Sequence, residues 1–413
     1  MTRYISPILA CVLACIGASA VFGSTFFSEV LNREVPVRVV MPDRSVDGAR
    51  DLVVVLKGLA APRVGDVPDA TLIDEFTNAG LAVLVVDYGG ATKAASPWIN
   101  ADLLRLRGNV SELTVPHLVA LDRVYVLPAG YRLARDIEFY RDDQKTYRLD
   151  VRYPAFAPGS KATKAPLIIQ IPHNNDARMN MNSIVKYRDS LLEGLMTCGY
   201  AVAVVDHPVA PPYEGIDAMP DSMYKLKSAV RTLRAQALHF GYDPSKIGVL
   251  GFSRGSGMAG LLAATGAVAA LEGEGLYPEQ SSAVQAVLCQ AGRFDHRSLL
   301  EDGFNPKKFD EYIAHFGDPV EQADRWDAPS AARWITADDP PFFLIVGGAD
   351  SYRVPQVHRL HEALLSEGAE HPYIVEEGRA HQVTEKPENI AAIRLFFDQE
   401  LKGEDSSSLP VGE

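Results

Sequence analysis

A serine flanked by glycines at a sharp turn has the makings of a nucleophile, and Gly251-Phe252-Ser253-Arg254-Gly255 has that form. A β-rich run, Lys246–Leu250, leads into it, and a small-residue helix pattern, Ser256–Ala264, leads out. In a strand–turn–helix of this kind, glycines stand where side chains would clash. The serine Oγ is lifted off the end of the sheet, and the helix aims its positive N-terminus at the reacting group. The plainer alternative is an ordinary structural turn. A serine hydroxyl attacks poorly at neutral pH, so the chemistry also needs a base and a carboxylate to orient it.

Both partners occur in the order Ser, acid, His that belongs with such an elbow. The apolar run from Pro341 ends in a tight turn at Asp350, and the run from Tyr373 ends in a loop at His381. Strand C-termini are where open α/β sheets place their sites. Asp295, after the run Ala286–Gln290, is a rival acid. An oxyanion would need backbone donors. The amide of Arg254 is one candidate, and the loop His173-Asn174-Asn175-Asp176, after Leu167–Pro172, offers the other. His358 and His361, at i and i+3 on one helix, have a spacing that could hold a metal. No third ligand is evident, so a solvated helix face is the expectation, and His371 reads as a surface residue. No dinucleotide fingerprint or P-loop is present, and no cofactor or metal is expected.

The elements that must carry these residues lie between about 131 and 402. Arg135–Arg141 and Thr146–Tyr153 alternate around a polar turn and read as a hairpin. Short continuous apolar runs follow at 166–172, 200–206, 246–251, 284–289, 341–346 and 372–376, which suits parallel strands buried on both faces. Amphipathic helix patterns at 222–240 and 354–367 lie between them. The order predicts an α/β sheet with helices on both sides.

A smaller βαβ unit is expected at 35–115, with strands at 52–57 and 81–87 and a helix at 70–78. Its segment Thr77–Asp87 echoes Met196–Asp206, either as a duplication or as the common look of α/β crossovers. The unit has no elbow serine. Its Lys57-Gly58 and Asp87-Tyr88-Gly89-Gly90 turns could line a pocket or be ordinary turns. About 80 residues make a marginal core, so it should pack on the larger unit. The expected seam is 108–130, and the tail 403–413 reads as disordered.

The 413 residues are 47% hydrophobic and carry a net charge of -13, which excludes a disordered chain and argues against sequence-independent binding of nucleic acid. Residues 1–20 read as a signal peptide, with Arg3, an apolar stretch and Ala18-Ser19-Ala20 before the cleavage point. The expected location is therefore secreted or periplasmic, with no stable membrane insertion after cleavage. An uncleaved anchor or a lipid on Cys11 or Cys15 are the alternatives. Cleavage would leave Cys198 and Cys289, either as two buried thiols or as a disulfide.

Taken together, the hairpin, the His173 loop, Val205-Asp206-His207-Pro208-Val209-Ala210-Pro211, the elbow, Asp339–Phe343, Gly348–Pro355 and Gly378–His381 resemble the α/β-hydrolase family. Within it they resemble secreted carboxylesterases related to acetyl-xylan and feruloyl esterases. The resemblance implies a Ser253–His381–Asp350 triad, an acyl-enzyme, and a small-molecule or polysaccharide ester as substrate. It also implies a substrate-binding or oxyanion role for Arg254, His173, Asn174, Asn175 and His207. Two departures stand out. The family's loop is commonly H-G-G-G, where this chain has His173-Asn174-Asn175. The residue after the nucleophile is usually small, where this chain has Arg254, whose guanidinium could recognise a carboxylate or form an outward salt bridge. The segment 293–335 is expected to cover the site. A peptidase, or a non-catalytic binding protein on the same fold, are the other readings.

Overall fold

The computed structural model describes residues 21–28, 33–42, 51–57, 67–89, 123–143, 145–157, 160, 164–173, 191–208, 221–381 and 386–404. The segment read as a signal peptide, Asn174 and Asn175, and most of the tail lie outside these residues.

The larger sheet begins with a hairpin, β6 (Tyr131–Arg141) and β7 (Thr146–Pro154). It continues through β8 (Ala165–Ile171), β9 (Ala201–Val205), β10 (Tyr242–Phe252), β11 (Ala286–Gln290), β12 (Phe342–Gly347) and β13 (Tyr373–Glu376). The spatial order is β13-β12-β11-β10-β8-β9-β7-β6. The six strands from β8 to β13 are mutually parallel, and the hairpin joins β9 antiparallel. Their side chains alternate between two apolar layers. Ile169, Val249, Val287 and Leu344 face one layer, and Ile168, Leu250, Leu288 and Ile345 face the other. Burial on both faces is why these strands read as unbroken apolar runs.

Helices fill each layer. On one face lie Asp221–Ala235, the elbow helix Arg254–Ala264, and Arg353–Ser366. Leu191–Thr197 and Pro387–Phe397 cover the other. The pattern predicted as one helix over 222–240 is two, broken at Gln236 and closed by Gly241 in the left-handed region (φ 74°).

The smaller sheet is larger than the βαβ unit expected at 35–115. It has five strands: β1 (Val21–Ser28), β2 (Arg33–Val40), β3 (Asp51–Lys57), β4 (Ala82–Asp87) and β5 (Arg123–Pro128). They lie in the order β1-β2-β4-β3-β5, with α1 (Asp69–Asn78) between β3 and β4. Strand β5 occupies part of the expected seam, and only Ala129 and Gly130 separate it from β6. The unit thus reaches 128 rather than 115, and there is no linker to the larger sheet.

The two sheets share a core. Val53, Val55, Leu72, Ile73, Phe76, Val83 and Val85 of the smaller unit pack in one cluster with Met196, Val202 and Val204 of the larger. The buried Tyr131 hydroxyl lies 2.7 Å from the Met196 carbonyl and 3.0 Å from that of Tyr200. Arg132 grips Glu75 with two hydrogen bonds of 2.8 Å. Joint burial supplies a larger core than the small unit would have alone.

Cys198 and Cys289 are free thiols, so the disulfide alternative does not hold. Burial pushes the pKa of both upward. Among the described residues, no helix is long and apolar enough to cross a membrane.

Candidate active site

The elbow is built by steric demand. Ser253 has φ 56° and ψ −120°, a strained conformation for a residue with a side chain. Its amide donates to the Gln290 carbonyl at 2.9 Å, which ties the turn to β11. A Cβ on Gly251 would stand 2.1 Å from the Gly255 carbonyl oxygen, and one on Gly255 would stand 2.2 Å from that of Ile171. Only glycine lets the helix start so close to the strand that feeds it. The strained serine is held by this packing and by the helix that begins at Arg254.

Acid and base lie at the ends of neighbouring strands. Asp350 follows β12 and His381 follows β13, and the two loops are joined through the backbone. Gly348 N–H donates to the Glu376 carbonyl at 2.8 Å, and Ala349 N–H donates to that of Arg379 at 2.8 Å. A Cβ on Gly347 would meet the Ala380 carbonyl oxygen at 1.9 Å, so this contact also requires glycine.

The structure brings Ser253, His381 and Asp350 together. His381 Nδ1 is 2.6 Å from Asp350 Oδ2, and His381 Nε2 is 3.0 Å from Ser253 Oγ. A carboxylate only accepts, so Nδ1 carries the proton and Nε2 presents its lone pair to the serine hydroxyl. Asp350 is buried, with 6% of its side chain exposed, whereas His381 keeps 33%. Burial strengthens the carboxylate's hold on the imidazole. Arg353 NH1 braces the other carboxylate oxygen at 3.2 Å. Such an arrangement can remove a proton from the hydroxyl and return it to a leaving group.

Asp295, the rival acid, is engaged elsewhere: it is buried and bonded to Arg333 at 2.8 Å. Its backbone is held by Gln356 through N–H and carbonyl, at 3.0 and 2.9 Å. The segment 293–335 around it forms its own aromatic cluster of Phe304, Phe309, Tyr312, Phe316 and Trp326. Phe304 stands edge-on to Tyr352 at 4.9 Å, so the segment packs beside the turn that carries Asp350.

His173 lies at the end of β8 with its ring 5.9 Å from that of Phe252, and Phe252 lies 4.5 Å from the His381 ring. Burial lowers the His173 pKa, and the nearby Arg254 and His381 lower it further. His207 is fully buried. Its Nδ1 is 2.9 Å from the Pro172 carbonyl, and its Nε2 is 3.2 Å from Arg254 NH1. The carbonyl fixes the proton on Nδ1, so Nε2 accepts from the guanidinium. His207 therefore reaches the site through Arg254. Arg254 opens the elbow helix, whose first amides point toward the turn. Asn174 and Asn175 lie outside the described residues.

Three contributors were missed in the sequence. Arg353 had a readable signal, a cation three residues past the acid at a helix start. Phe252 sits inside the elbow motif, yet its packing on His381 joins residues far apart in the chain. Gly347 matters only because a loop from the next strand passes over it.

The histidines set apart as a helix face are also rearranged. His371 is not a simple surface residue: its Nε2 lies 2.9 Å from His361 Nδ1, and burial lowers the pKa of both. His358 is paired with Glu362 at 3.2 Å. Among the described residues, no three His, Cys, Asp or Glu side chains converge as a metal-binding group. Lys57 and Asp87 pair at 3.0 Å across their strand ends.

The sequence pattern of the BD-FAE family matches residues 149–364, a little over half of the chain. Esterase LipQ of Mycobacterium tuberculosis is 25% identical over 239 residues, which are 58% of this chain and 52% of that protein. Among solved structures, a bifunctional GH43-CE protein of Bacteroides eggerthii is 26% identical with a TM-score of 0.54, covering 65% of this chain and 38% of that one. A truncated carbohydrate esterase from gut microbiota is 22% identical with a TM-score of 0.55, covering 66% of this chain and 98% of that one. The chain thus spans about half the length of the curated relative it matches. Its larger sheet has the α/β-hydrolase fold.

Proposed function

The chain belongs to the BD-FAE family, and from that premise we propose that it is a serine carboxylesterase working through Ser253, His381 and Asp350. Ser253 Oγ attacks the ester carbonyl while His381 Nε2 takes its proton. Asp350 holds the imidazole in the needed tautomer and stabilises the imidazolium that forms. The oxyanion is received by the Arg254 amide and by the loop that starts at His173 and includes Asn174 and Asn175. His381 then protonates the departing alcohol. The same imidazole activates water to release the acid from Ser253.

The single observation that carries this reading is the pair of contacts on one imidazole, 2.6 Å to the buried carboxylate and 3.0 Å to the serine of a strained elbow. LipQ, an esterase by name, and the two carbohydrate-esterase likenesses support it.

The preferred substrate is an acyl ester on a carbohydrate, or a related small ester. The N-terminal pattern of Arg3, an apolar stretch and Ala18-Ser19-Ala20 supports export to a secreted or periplasmic location. Purified protein is expected to hydrolyse p-nitrophenyl acetate and to release acetate from acetylated xylan, and Ser253→Ala is expected to do neither. Equal turnover by Ser253→Ala would refute the mechanism. Turnover of the small ester but of no carbohydrate ester would confine the refutation to the substrate class. Turnover of aminoacyl p-nitroanilides would favour a peptidase instead.

A further inference from the structure

The histidine pair away from the elbow has a geometry that ordinary packing does not require. His361 lies on the long helix Arg353–Ser366, and His371 lies in the turn before β13. His371 Nδ1 is 2.9 Å from the Ala369 carbonyl. A carbonyl only accepts, so that nitrogen carries the proton and Nε2 carries a lone pair. The lone pair is aimed at His361 Nδ1, 2.9 Å away, with the two rings inclined at 70°. A histidine whose outer N–H is tied to a backbone carbonyl, with its other nitrogen projecting inward, is set up as a metal ligand is.

We infer that His361 Nδ1 and His371 Nε2 form a chelating site for a divalent transition metal of tetragonal geometry, Cu²⁺ above all. Bonds of about 2.0–2.1 Å from one ion to two nitrogens 2.9 Å apart enclose an angle of about 90°. That is the angle between adjacent positions in a square plane. Tetrahedral zinc would need the nitrogens roughly 0.4–0.5 Å further apart. Copper also heads the affinity order for nitrogen donors.

Two imidazoles are the protein's share, since no three donors converge among the described residues; water completes the shell. Both rings are only partly exposed and held close together, with His361 packed 4.5 Å from the Tyr373 ring; each must turn from its hydrogen-bonded direction to aim its nitrogen at the shared ion. On binding, the Nδ1 proton of His361 leaves to solvent and the neutral ring takes a proton from water at Nε2. The protein's net charge is unchanged apart from the ion's.

The ion would clip together the helix that starts beside Asp350 and the strand that leads to His381. His358 is one turn earlier, its ring 5.6 Å from that of His361. It belongs to the exposed face of the helix and is not a ligand.

The test titrates CuSO₄ into the full chain, freed of any affinity tag. It is read by electron paramagnetic resonance at one equivalent and by the melting temperature. The expected result is a signal split by two nitrogens and a raised melting temperature. His361→Gln and His371→Ala should each lose the two-nitrogen pattern and bind at least about tenfold more weakly. His358→Ala should behave as the unaltered protein. Glutamine keeps the size and polarity of the site, so folding loss in one variant leaves the other informative. An unchanged two-nitrogen signal in the doubly substituted chain, or equal loss in His358→Ala, would overturn the assignment. Neither readout depends on ester hydrolysis.

Discussion

Two segments of this chain take the same local shape with different consequences. In Thr77–Asp87 and in Met196–Asp206 a helix ends at a glycine with positive φ, 78° at Gly80 and 92° at Gly199, and a buried strand follows. Two of the terminating hydrogen bonds correspond. Gly80 N–H donates to Thr77 and Leu81 N–H to Phe76; Gly199 N–H donates to Met196 and Tyr200 N–H to Leu195. Strand β4 ends in Asp87, and Asp206 directly follows β9. In the smaller sheet, Asp87 is satisfied by Lys57 and by the Gly89 amide, and its charge is neutralised. In the larger sheet, Asp206 accepts from the Arg148 amide, and His207 beside it fixes Arg254 at the elbow. A βαβ crossover is therefore only a frame. Chemistry appears where strained glycine contacts deliver side chains from several strand ends to one point.

The sharpest way to break that contrast is to remove the base. His381→Ala is expected to lower kcat for p-nitrophenyl acetate on the order of 10⁴-fold, with the fold intact by circular dichroism. Asp87→Asn in the smaller sheet should leave kcat within about twofold. Substantial loss in Asp87→Asn would mean that the smaller sheet takes part in the reaction.

Glycine substitutions sharpen it next. Gly255→Ala would press a methyl group to 2.2 Å from the Ile171 carbonyl oxygen, shifting the elbow against the His173 loop. A displacement near 1 Å costs about 10²-fold in rate. A Cβ on Gly23 would meet nothing within 4 Å among the described residues, so Gly23→Ala should change stability by less than about 0.5 kcal/mol. Steady-state kinetics and thermal melts measure both.

A third comparison asks whether the sheets melt together. Phe76 is 5% exposed in the cluster shared by both sheets. Phe76→Ala should cost about 3–4 kcal/mol and lower one calorimetric transition. Two separated transitions would show that the sheets are independent.

The smallest effect concerns pH. Burial raises the Asp339 pKa from 3.8 to about 6, and the neighbouring Asp338 and Glu367 add to it. A carboxyl raised on folding leaves stability intact below its unfolded pKa and loses it as pH rises through the folded value. Asp339→Asn should therefore melt higher at pH 7, by about 1 kcal/mol after allowing for the residue's partial exposure. The difference should vanish below about pH 4. A gain that persisted at low pH would place its cause elsewhere.

Much of the larger sheet was legible because its strands are buried on both faces and leave unbroken apolar runs. The elbow was legible because its sterics demand glycine at fixed offsets. The smaller sheet was half hidden. Strand β2 carries Pro36 inside its run, which argues against a strand, yet Pro36 faces only β1, and pairing with β4 begins at Val37. Strand β5 was masked by Pro128 and Gly130, which end it rather than mark a linker. The contact between His361 and His371 has no sequence period, because a turn rather than a helix face brings the rings together. The His207 contact with Arg254 depends in the same way on two strand ends that meet only in the fold.

The most direct test of the central claim is the site of covalent capture by a fluorophosphonate. Intact-mass spectrometry should find one adduct per chain, and peptide mapping should place it on Ser253, with the adduct absent from Ser253→Ala and strongly slowed in His381→Ala. A chain that hydrolyses esters yet carries its adduct on another residue, or reacts equally well without His381, would contradict the account.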